Sequence, residues 1–297
     1  MTAAGQYELH GVFVATTTPF DANGALDLRA YEDHCAWLAG SGVSGVIPNG
    51  SLGEYETLSD DERASVVKAA VEALDGRVPV IPGVSAKSGP EARRWAEHAA
   101  SAGCPAVMAL PPTSHAPTDD EVVAHFRTVA EVGLPIIAYN NPFSTRVDLR
   151  PGLLRRLAEI PEVVAVKEVS QDVRRVAAIR EQAGDLQVLC GCDDTLVEAM
   201  LMGAVGWIAG FANAFPVESV RLYDLCASGR WDEARELYRA LLPLLRYDAD
   251  PVFVQAIKIA QEEVGHPAGG VRLPRLALPE EEQDRVRRLC RTFLGDR

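Results

Sequence analysis

The chain has little positive charge, with 29 Lys and Arg residues against 42 Asp and Glu residues and a net charge of −13 over 297 residues. This balance argues against nucleic acid or an anionic membrane surface as a partner. No apolar run approaches the roughly 20 residues that span a bilayer. The N-terminal stretch MTAAGQYELHG has no basic segment followed by an apolar core, so we expect no signal peptide. We therefore expect a cytoplasmic protein.

Metal-binding and phosphate-binding signatures are also lacking. The six histidines have no ligand spacing, and Cys190-Gly-Cys192 lacks the second pair that a zinc site would need. The six scattered cysteines are interpreted as reduced thiols. The phosphate-binding loop GxxxxGK[ST] does not occur. Asp193-Asp194 would suit Mg²⁺, but it also suits the N-cap of the following segment TLVEAMLMG, and we interpret it as the cap.

What the chain does contain is a series of short apolar, β-branched runs separated by segments of helical periodicity, such as Ser59–Leu74 and Pro90–Ala102. The runs are VFVATT from Val12, SGVIP from Ser44, VPVIPG from Val78, PAVMAL from Pro105, LPIIAYN from Leu134, VVAVKEV from Val163, LQVLCG from Leu186 and AVGWIAG from Ala204. Buried strands that alternate with helices indicate a parallel sheet, and eight of them suit a closed ring. We predict an α/β protein with a (β/α)₈ TIM barrel.

The alternation of strand and helix patterns ends after Ala214, where four helical segments follow one another without a strand: PVESVRLYDLCASG, WDEARELYRALLPLLR, PVFVQAIKIAQEEVG and PEEEQDRVRRLCRTFL. We predict a barrel catalytic domain over residues 1–220 and a C-terminal helical extension over residues 221–297. In a barrel of this kind the chemistry lies at the carboxyl ends of the strands.

The strand VVAVKEVS, from Val163 to Ser170, runs directly into a lysine. Burial disfavours a charged ammonium, and a neutral Lys167 amine can attack a carbonyl to form a Schiff base that acts as an electron sink. The alternative is an ion pair with Glu168 or another barrel carboxylate. Adjacent strand residues point to opposite faces, so Lys167 and Glu168 cannot both face inward. We favour a catalytic amine.

Two further polar features follow strands. Tyr139 ends the preceding strand, and its phenol could relay protons, although tyrosine is also common at a barrel rim. The stretch NGSLGEYETLSDDER follows the second strand; its glycines permit tight geometry that leaves amides free to receive a carboxylate, and Ser51 adds a hydroxyl. The alternative for this stretch is an ordinary strand-to-helix turn.

Four motifs occur in a recognisable order: ATTTPFDANGALDL, NGSLGEYETLSDDER, AYNNP and VVAVKEVSQDVRRV. Together they resemble the dihydrodipicolinate synthase/N-acetylneuraminate lyase superfamily of class I, Schiff-base-forming barrels, over nearly the whole chain. A narrower set is similar to the 1-pyrroline-4-hydroxy-2-carboxylate deaminases: VKEVSQDVRRV, GCDDTLVEAMLMGAVGWIAGFANAFP, GRWDEARELYRALLPLL and VRLPRLAL.

The resemblance implies that Lys167 is the Schiff-base lysine and Tyr139 the proton-relay tyrosine. It implies that Ser51 and Leu52 form the carboxylate-binding turn, with Ser51 joining the relay. Gly191 and Ile208 would line the site around a 2-oxo acid. It further implies no metal or organic cofactor, because the lysine supplies the electron sink, and a homotetramer built as a dimer of dimers.

Three positions depart from the pattern. Leu52 replaces a hydroxyl residue common in the superfamily. Lysine-biosynthetic synthases carry an arginine two residues after the proline of the YNxP motif, where this chain has Ser144, with Arg146 two residues further on. They also use a tyrosine from a neighbouring subunit, and Thr113 stands about where it would fall. Synthase activity is therefore disfavoured on these residues.

The resulting hypothesis is an enzyme that converts 1-pyrroline-4-hydroxy-2-carboxylate to 2,5-dioxopentanoate and ammonia. Alternatives that use the same imine are an aldolase or dehydratase for 2-keto-3-deoxy sugar acids and 4-hydroxy-tetrahydrodipicolinate synthase. An alternative of another class is a non-catalytic sensor of a 2-oxo acid, which would bind without a covalent bond.

Overall fold

The computed structural model describes residues 7–295, and its centre is a sheet of seven parallel strands. The strands are β1 (Gly11–Ala15), β2 (Gly45–Ile47), β3 (Val107–Ala109), β4 (Ile136–Asn140), β5 (Val163–Glu168), β6 (Gln187–Cys190) and β7 (Gly206–Ala209). Their order in the sheet is β2-β1-β7-β6-β5-β4-β3. The two edge strands, β2 and β3, flank the one predicted strand that is absent from this sheet.

That missing strand is the run that begins at Val78, which makes only isolated bridges instead of a ladder. Ile81 donates a backbone hydrogen bond to Val46 of β2 at 2.9 Å, and Met108 of β3 donates one to Pro82 at 3.0 Å. The segment thus joins β2 to β3 and closes the ring. Pro79 and Pro82 have no N–H to donate, which is why a regular ladder does not form there. The predicted TIM-type barrel is confirmed, with seven regular strands instead of eight.

Twelve α-helices are present among residues 7–295, and they alternate with the strands up to α9. They are α1 (Leu28–Gly40), α2 (Asp60–Leu74), α3 (Gly89–Ser101), α4 (Asp119–Ala130), α5 (Pro142–Thr145), α6 (Pro151–Leu157), α7 (Arg174–Gln182), α8 (Leu196–Leu201), α9 (Pro216–Ala227), α10 (Trp231–Leu245), α11 (Phe253–Glu263) and α12 (Glu280–Gly295).

The start of α2 shows how the sequence fixes a boundary. Ser59 Oγ accepts a hydrogen bond from Glu62 N at 3.2 Å, while Ser59 N donates to Glu62 Oε2 at 2.9 Å. This reciprocal pair is a capping box, and it satisfies two amides that the helix itself leaves open. The predicted cap at Ser59 is confirmed.

The strands at the barrel centre are shielded on both faces. Every residue of β4 and of β5 is buried, as expected where helices cover the outside and side chains fill the inside. Even Lys167 and Glu168, at the end of β5, are each 7% exposed. The apolar run that identified β5 is therefore the consequence of its central position.

The C-terminal region is helical, as predicted, and forms α9 to α12 with a 3-10 turn at Arg246–Ala249. Helix α9 crosses residue 220 and contacts β1 and β7, while α12 contacts both α10 and α11. The division into residues 1–220 and 221–297 stays a prediction. No helix among residues 7–295 combines the length and the apolar character needed to cross a membrane. The first six residues of the stretch in which we expect no signal peptide lie outside the described residues.

Candidate active site

One cavity, of about 490 Å³ including the space open to solvent, lies where the strands end. It brings together five of the six residues singled out from the sequence: Ser51, Leu52, Tyr139, Lys167 and Gly191. The other lining residues are Ala15, Gly50, Met108, Asn141, Val169, Gly210, Asp248 and Phe253. Ile208 is fully buried in β7 and is not among the lining residues, whereas Gly210, two residues further on, is.

Lys167 reaches this cavity from β5 and lies opposite Tyr139 in the β4–β5 register. Its Nζ is 4.7 Å from the centroid of the Tyr139 ring. Within residues 7–295 no hydrogen-bond acceptor and no carboxylate pairs with this nitrogen. The lysine is therefore buried at the edge of a cavity without an ion-pair partner, which is the arrangement a nucleophilic amine needs.

Glu168, the neighbour of Lys167 on the strand, faces the other way. Its carboxylate accepts hydrogen bonds from Asn140 Nδ2 at 3.0 Å and from Ser170 N at 2.6 Å. Burial raises the pKa of Glu168, and these hydrogen bonds oppose the shift. The expected alternation of the two side chains is confirmed, and the alternative of an ion pair between them is wrong.

Gly191, which follows β6, has no room for a side chain, because a Cβ there would lie 2.4 Å from Val169 Cγ2. A Cβ at this position would lie 2.8 Å from Lys167 Cγ and 2.9 Å from the Glu168 carbonyl oxygen. Both distances are shorter than non-bonded carbon contacts allow. The backbone at residue 191 therefore forms part of the wall along which Lys167 extends.

Tyr139 presents its hydroxyl to the same cavity. Asn141 Nδ2 donates a hydrogen bond to Tyr139 Oη at 3.0 Å, and Asn141 itself lines the cavity. The phenol's own proton has no acceptor among residues 7–295. It is thus available to a bound molecule, as a proton relay requires. Sequence reasoning did not single out Asn141, although it lies within the AYNNP motif.

The turn after β2 is built from unusual backbone conformations. Asn49 and Glu54 have positive φ values of 57° and 54°. Asn49 Nδ2 holds the turn to helix α2 through a 2.9 Å hydrogen bond to the Arg63 carbonyl. The amides of Ser51 and Leu52 have no acceptor within the described residues. Free, adjacent amides at a cavity wall form a site suited to a carboxylate.

Asp193 is not the helix cap that the sequence suggested. Thr195 is the N-cap residue of α8, and no side chain caps that helix. Asp193 instead accepts hydrogen bonds from Trp207 Nε1 at 2.8 Å, from Phe211 N at 2.7 Å and from Gly210 N at 3.1 Å. Burial raises the pKa of Asp193 to about 6, against the effect of these donors. The side chain ties the end of β6 to the end of β7.

Asp248 is a lining residue that sequence reasoning missed. It belongs to the 3-10 turn Arg246–Ala249 of the C-terminal region, far along the chain from any barrel strand. Its Oδ2 accepts a hydrogen bond from Asp193 N at 3.3 Å. Burial and the neighbouring Asp193 raise the pKa of Asp248 well above its ordinary value, against the attraction of Lys167. A single aspartate within a helical segment gives no local sequence signal that it lines a cavity.

The positions at which the synthases carry the arginine and the inter-subunit tyrosine lie outside the cavity, whereas Leu52, the other departure, lines it. Thr113, Ser144 and Arg146 are exposed, and none is among the lining residues. Lys167 is the only cationic side chain among those lining the cavity. Residues 7–295 also contain no cluster of three or more His, Cys, Asp or Glu side chains arranged to hold a metal ion, and all six cysteines are buried and unpaired.

Comparisons with known proteins agree with this geometry. Residues 8–292 match the model of the dihydrodipicolinate synthetase family. A 4-hydroxy-tetrahydrodipicolinate synthase from Methanothrix thermoacetophila is 36% identical over 283 residues, which cover 93% of this chain and 94% of that protein.

Solved structures give the same result. The 4-hydroxy-tetrahydrodipicolinate synthase of Methylacidiphilum fumariolicum has a TM-score of 0.92 at 28% identity, covering 97% of each chain. A dihydrodipicolinate synthase variant described as monomeric has a TM-score of 0.89 at 28% identity, again covering 97% of each chain. The chain belongs to the dihydrodipicolinate synthetase family, and the prediction of a class I, lysine Schiff-base enzyme of that family is confirmed.

Proposed function

We propose that Lys167 of this lyase forms the covalent Schiff base with a small 2-oxo acid or its cyclic imine. The observation that carries the proposal is the unpartnered Lys167 Nζ beside Tyr139 at the cavity wall. The free amides of Ser51 and Leu52 would receive the substrate carboxylate, with the Ser51 hydroxyl in the proton relay. Gly191 and Ile208 would surround the 2-oxo acid, as the family resemblance implies.

The chemistry follows from the imine. The amine attacks C2, and the protonated ketimine withdraws electrons from the C2–C3 bond, so that the C3 proton becomes acidic. Tyr139 is placed to move protons during this step. The resulting enamine carries the electron pair that expels or adds a group at the next carbon. Lysine thus performs the part for which other enzymes use an organic cofactor.

For the substrate we retain 1-pyrroline-4-hydroxy-2-carboxylate as the main hypothesis. Lys167 would attack C2 and displace the ring nitrogen, and loss of the C3 proton would then drive the C4 hydroxyl out as water. Tautomerisation would give an imine at C5. Two hydrolyses, one at C5 and one at the lysine imine, would release ammonia and 2,5-dioxopentanoate, which corresponds to net uptake of one water.

The names of the curated relatives favour the alternative, 4-hydroxy-tetrahydrodipicolinate synthase. One feature of the cavity weighs on the other side. Its lining has no cation besides Lys167 that could bind a second substrate's carboxylate. The position of the synthase arginine is held by Ser144, and Arg146 is exposed outside the cavity. The deaminase and synthase activities should therefore be measured on the same preparation.

The imine itself is tested by reduction with borohydride in the presence of pyruvate, followed by mass analysis of the Lys167 peptide. We expect a stable adduct on that peptide. A non-catalytic sensor would bind the acid reversibly and leave no adduct. If no 2-oxo acid gives an adduct on Lys167, the proposed function is wrong.

The choice of substrate is tested by three parallel assays. Ammonia release is measured with the hydroxypyrroline, condensation with pyruvate and L-aspartate 4-semialdehyde, and cleavage or dehydration with a 2-keto-3-deoxy sugar acid. We expect ammonia release to have the largest kcat/KM. Faster condensation would identify a synthase, and turnover of only the keto-deoxy acid would identify the aldolase or dehydratase.

Assembly and location are further parts of the proposal. We propose a cytoplasmic homotetramer of the dimer-of-dimers type, on the strength of the family resemblance. Thr113 is exposed and supplies no relay phenol, so assembly here would not complete the active site as it does in the synthases. Light scattering at several concentrations measures the mass, and cell fractionation measures the location. A fully active protein whose mass is that of a monomer at every concentration would contradict the tetramer.

A further inference from the structure

Three titratable side chains line the cavity: Tyr139, Lys167 and Asp248. The first two have roles in the imine chemistry, and the third has none. We propose that Asp248 is a further catalytic residue, the acid that protonates the oxygen leaving C4 and the base that then takes a proton from C5. This inference rests on the proposed function, because it concerns the atoms beyond C3 of the lysine-bound substrate.

The placement of the substrate leads to Asp248. A carboxylate held by the Ser51 and Leu52 amides and a C2 atom bonded to Lys167 Nζ fix one end of the molecule. The rest of the molecule would then face the wall formed by Gly191 after β6, Gly210 after β7, and Asp248 and Phe253 of the C-terminal region. Asp248 is the only charged side chain in that part of the lining. It is therefore the group that the C4 and C5 substituents meet.

The position of the Asp248 carboxylate is built into the fold. A Cβ at Gly210 would lie 2.3 Å from Asp248 Oδ1, so this carboxylate can occupy its place only because residue 210 is glycine. Oδ2 is held by Asp193 N. Oδ1 has no hydrogen-bond donor within residues 7–295, which leaves it for a bound molecule.

Asp193 cannot take this role, although it lies close by. Its carboxylate is fully occupied by the Trp207, Gly210 and Phe211 donors and is completely buried. It acts as a positioning residue, because its backbone amide holds Asp248 while its side chain fixes Gly210. Burial and the neighbouring Asp193 both raise the pKa of Asp248, which is the direction that suits a general acid.

The atoms balance with no added reactant. The electron pair of the enamine forms the C3–C4 double bond, the C4–O bond breaks, and the departing oxygen takes the proton of the Asp248 carboxyl group to leave as water. The carboxylate that remains accepts a proton from C5 while C3 gains one from Tyr139, which moves the double bond to C4–C5. Asp248 ends this sequence in the protonated state in which it began.

The test compares Asp248→Asn with Asp250→Asn, a matched change two residues away at an exposed position that does not line the cavity. Three quantities are measured on each full-length protein: ammonia release from the hydroxypyrroline, deuterium exchange at C3 of pyruvate, and the mass of the borohydride-trapped adduct. We expect Asp248→Asn to lower ammonia release by about 10²- to 10⁴-fold, the usual size for loss of an acid–base group. Pyruvate exchange should be unchanged, because it needs only the imine and the C3 proton.

The trapped adduct gives a readout that a merely structural role would not move. With Asp248→Asn the adduct should retain the C4 oxygen, which the adduct of the wild type lacks. Asp250→Asn should match the wild type in all three measurements. Ammonia release at the wild-type rate by Asp248→Asn would overturn the inference, and so would equal loss of pyruvate exchange.

Failure of the proposed function looks different. If the wild type traps pyruvate but releases no ammonia, the inference falls with its substrate while the Lys167 imine remains. If the wild type traps no 2-oxo acid, the imine itself is excluded.

Discussion

Two lysines are buried in this protein, and they differ in whether their side-chain nitrogen has hydrogen-bond and ion-pair partners. Lys167 at the end of β5 is 7% exposed, and Lys258 in helix α11 is 4% exposed. Lys258 Nζ lies 2.9 Å from Glu54 Oε1 and donates hydrogen bonds to the carbonyls of Thr18 at 2.8 Å and Gly270 at 2.7 Å. Lys167 Nζ has no such partner within the described residues.

Both lysines also line a cavity. The cleft beside Lys258 lies between α11 and residues 267–278, and it is larger than the cavity at the barrel mouth. Size does not identify the reactive site, because the Lys258 ammonium is already occupied by a carboxylate and two carbonyls. Burial lowers the pKa of Lys258, and the Glu54 carboxylate opposes the shift. The comparison teaches that a buried lysine is structural when its donors are satisfied and reactive when only a ligand can satisfy them.

The Lys258 region is an anchor between the C-terminal region and the barrel. Glu54 Oε2 accepts a hydrogen bond from Arg272 N at 3.0 Å, and the Arg272 guanidinium pairs with Glu62 of α2 at 2.6 Å. These contacts hold the segment near residue 270 against the turn after β2. The same turn carries Ser51 and Leu52, so the anchor supports one wall of the candidate site.

The largest effect is expected from Lys167→Met. This change removes the nucleophile, so turnover should fall by at least ~10⁴-fold, the scale seen when a covalent nucleophile is lost. The free energy of unfolding should stay the same or rise, because a buried amine without a partner is replaced by an apolar side chain of similar length. Kinetics and chemical denaturation measure the two quantities. If the Lys167→Met variant unfolded more easily and retained turnover, Lys167 would be a structural lysine and not the reactive one.

Tyr139→Phe should come next. Loss of the phenol should reduce turnover by about 10²- to 10⁴-fold, since it removes a proton relay while leaving the lysine in place. Borohydride should still trap a 2-oxo acid on Lys167, at a lower rate. Full turnover in this variant would exclude Tyr139 from the proton transfers, whereas complete loss of trapping would make its role one of positioning the lysine.

Lys258→Met tests the other lysine and should mainly affect stability. It leaves Glu54 buried without its cation, which typically costs about 3–5 kcal/mol of unfolding free energy. The double variant with Glu54→Gln should recover part of that loss, because the unpaired charge is gone. Imine trapping by the folded fraction should persist. Loss of trapping in a stable Lys258→Met protein would show that the anchor serves the chemistry directly.

The smallest effect is expected from Glu62→Gln, which retains the capping-box geometry but removes the charge that pairs with Arg272. The Arg272 partner lowers the pKa of Glu62 from 4.5 to about 2. A lowered carboxyl pKa stabilises the fold above the unfolded-state value, and the stabilisation is lost as the pH falls toward the folded-state value. At pH 7 the variant should be less stable by ~1 kcal/mol after allowance for solvent screening.

Denaturation curves between pH 7 and pH 3 check this expectation. The difference between Glu62→Gln and the wild type should shrink as the pH falls. A difference that is constant over this range would mean that the Arg272 pair contributes through packing instead of charge.

Much of the fold could be predicted because its signals are local. The apolar runs, the Ser59 cap and the four C-terminal helices are all set by side chains near in sequence. The strand beginning at Val78 shows the limit of such signals. Its apolar pattern marked it as a strand, but Pro79 and Pro82 removed donors that a ladder needs, so only single bridges join it to its neighbours.

The candidate site was predictable in part for the same reason. Lys167, Tyr139, Ser51, Leu52 and Gly191 follow strands whose carboxyl ends must meet in a barrel, and the structure brings these five to one cavity. Asp193 was placed correctly after β6 but interpreted wrongly. An acid before a helix resembles a cap, and only the positions of Trp207 and Phe211 show what its carboxylate binds.

The sequence by itself determined the barrel, its strand ends and the candidate nucleophile, because periodicity and motif order act over short stretches. It did not show which partner either buried lysine, Lys167 in AVKEV or Lys258 in AIKIA, would have. Only the tertiary structure decided that Glu54 neutralises one of them and that Asp248 faces the cavity of the other. The physical reason is that ion pairing and desolvation depend on distances in space, which the closing of the barrel and the return of the C-terminal region set between residues far apart in the chain.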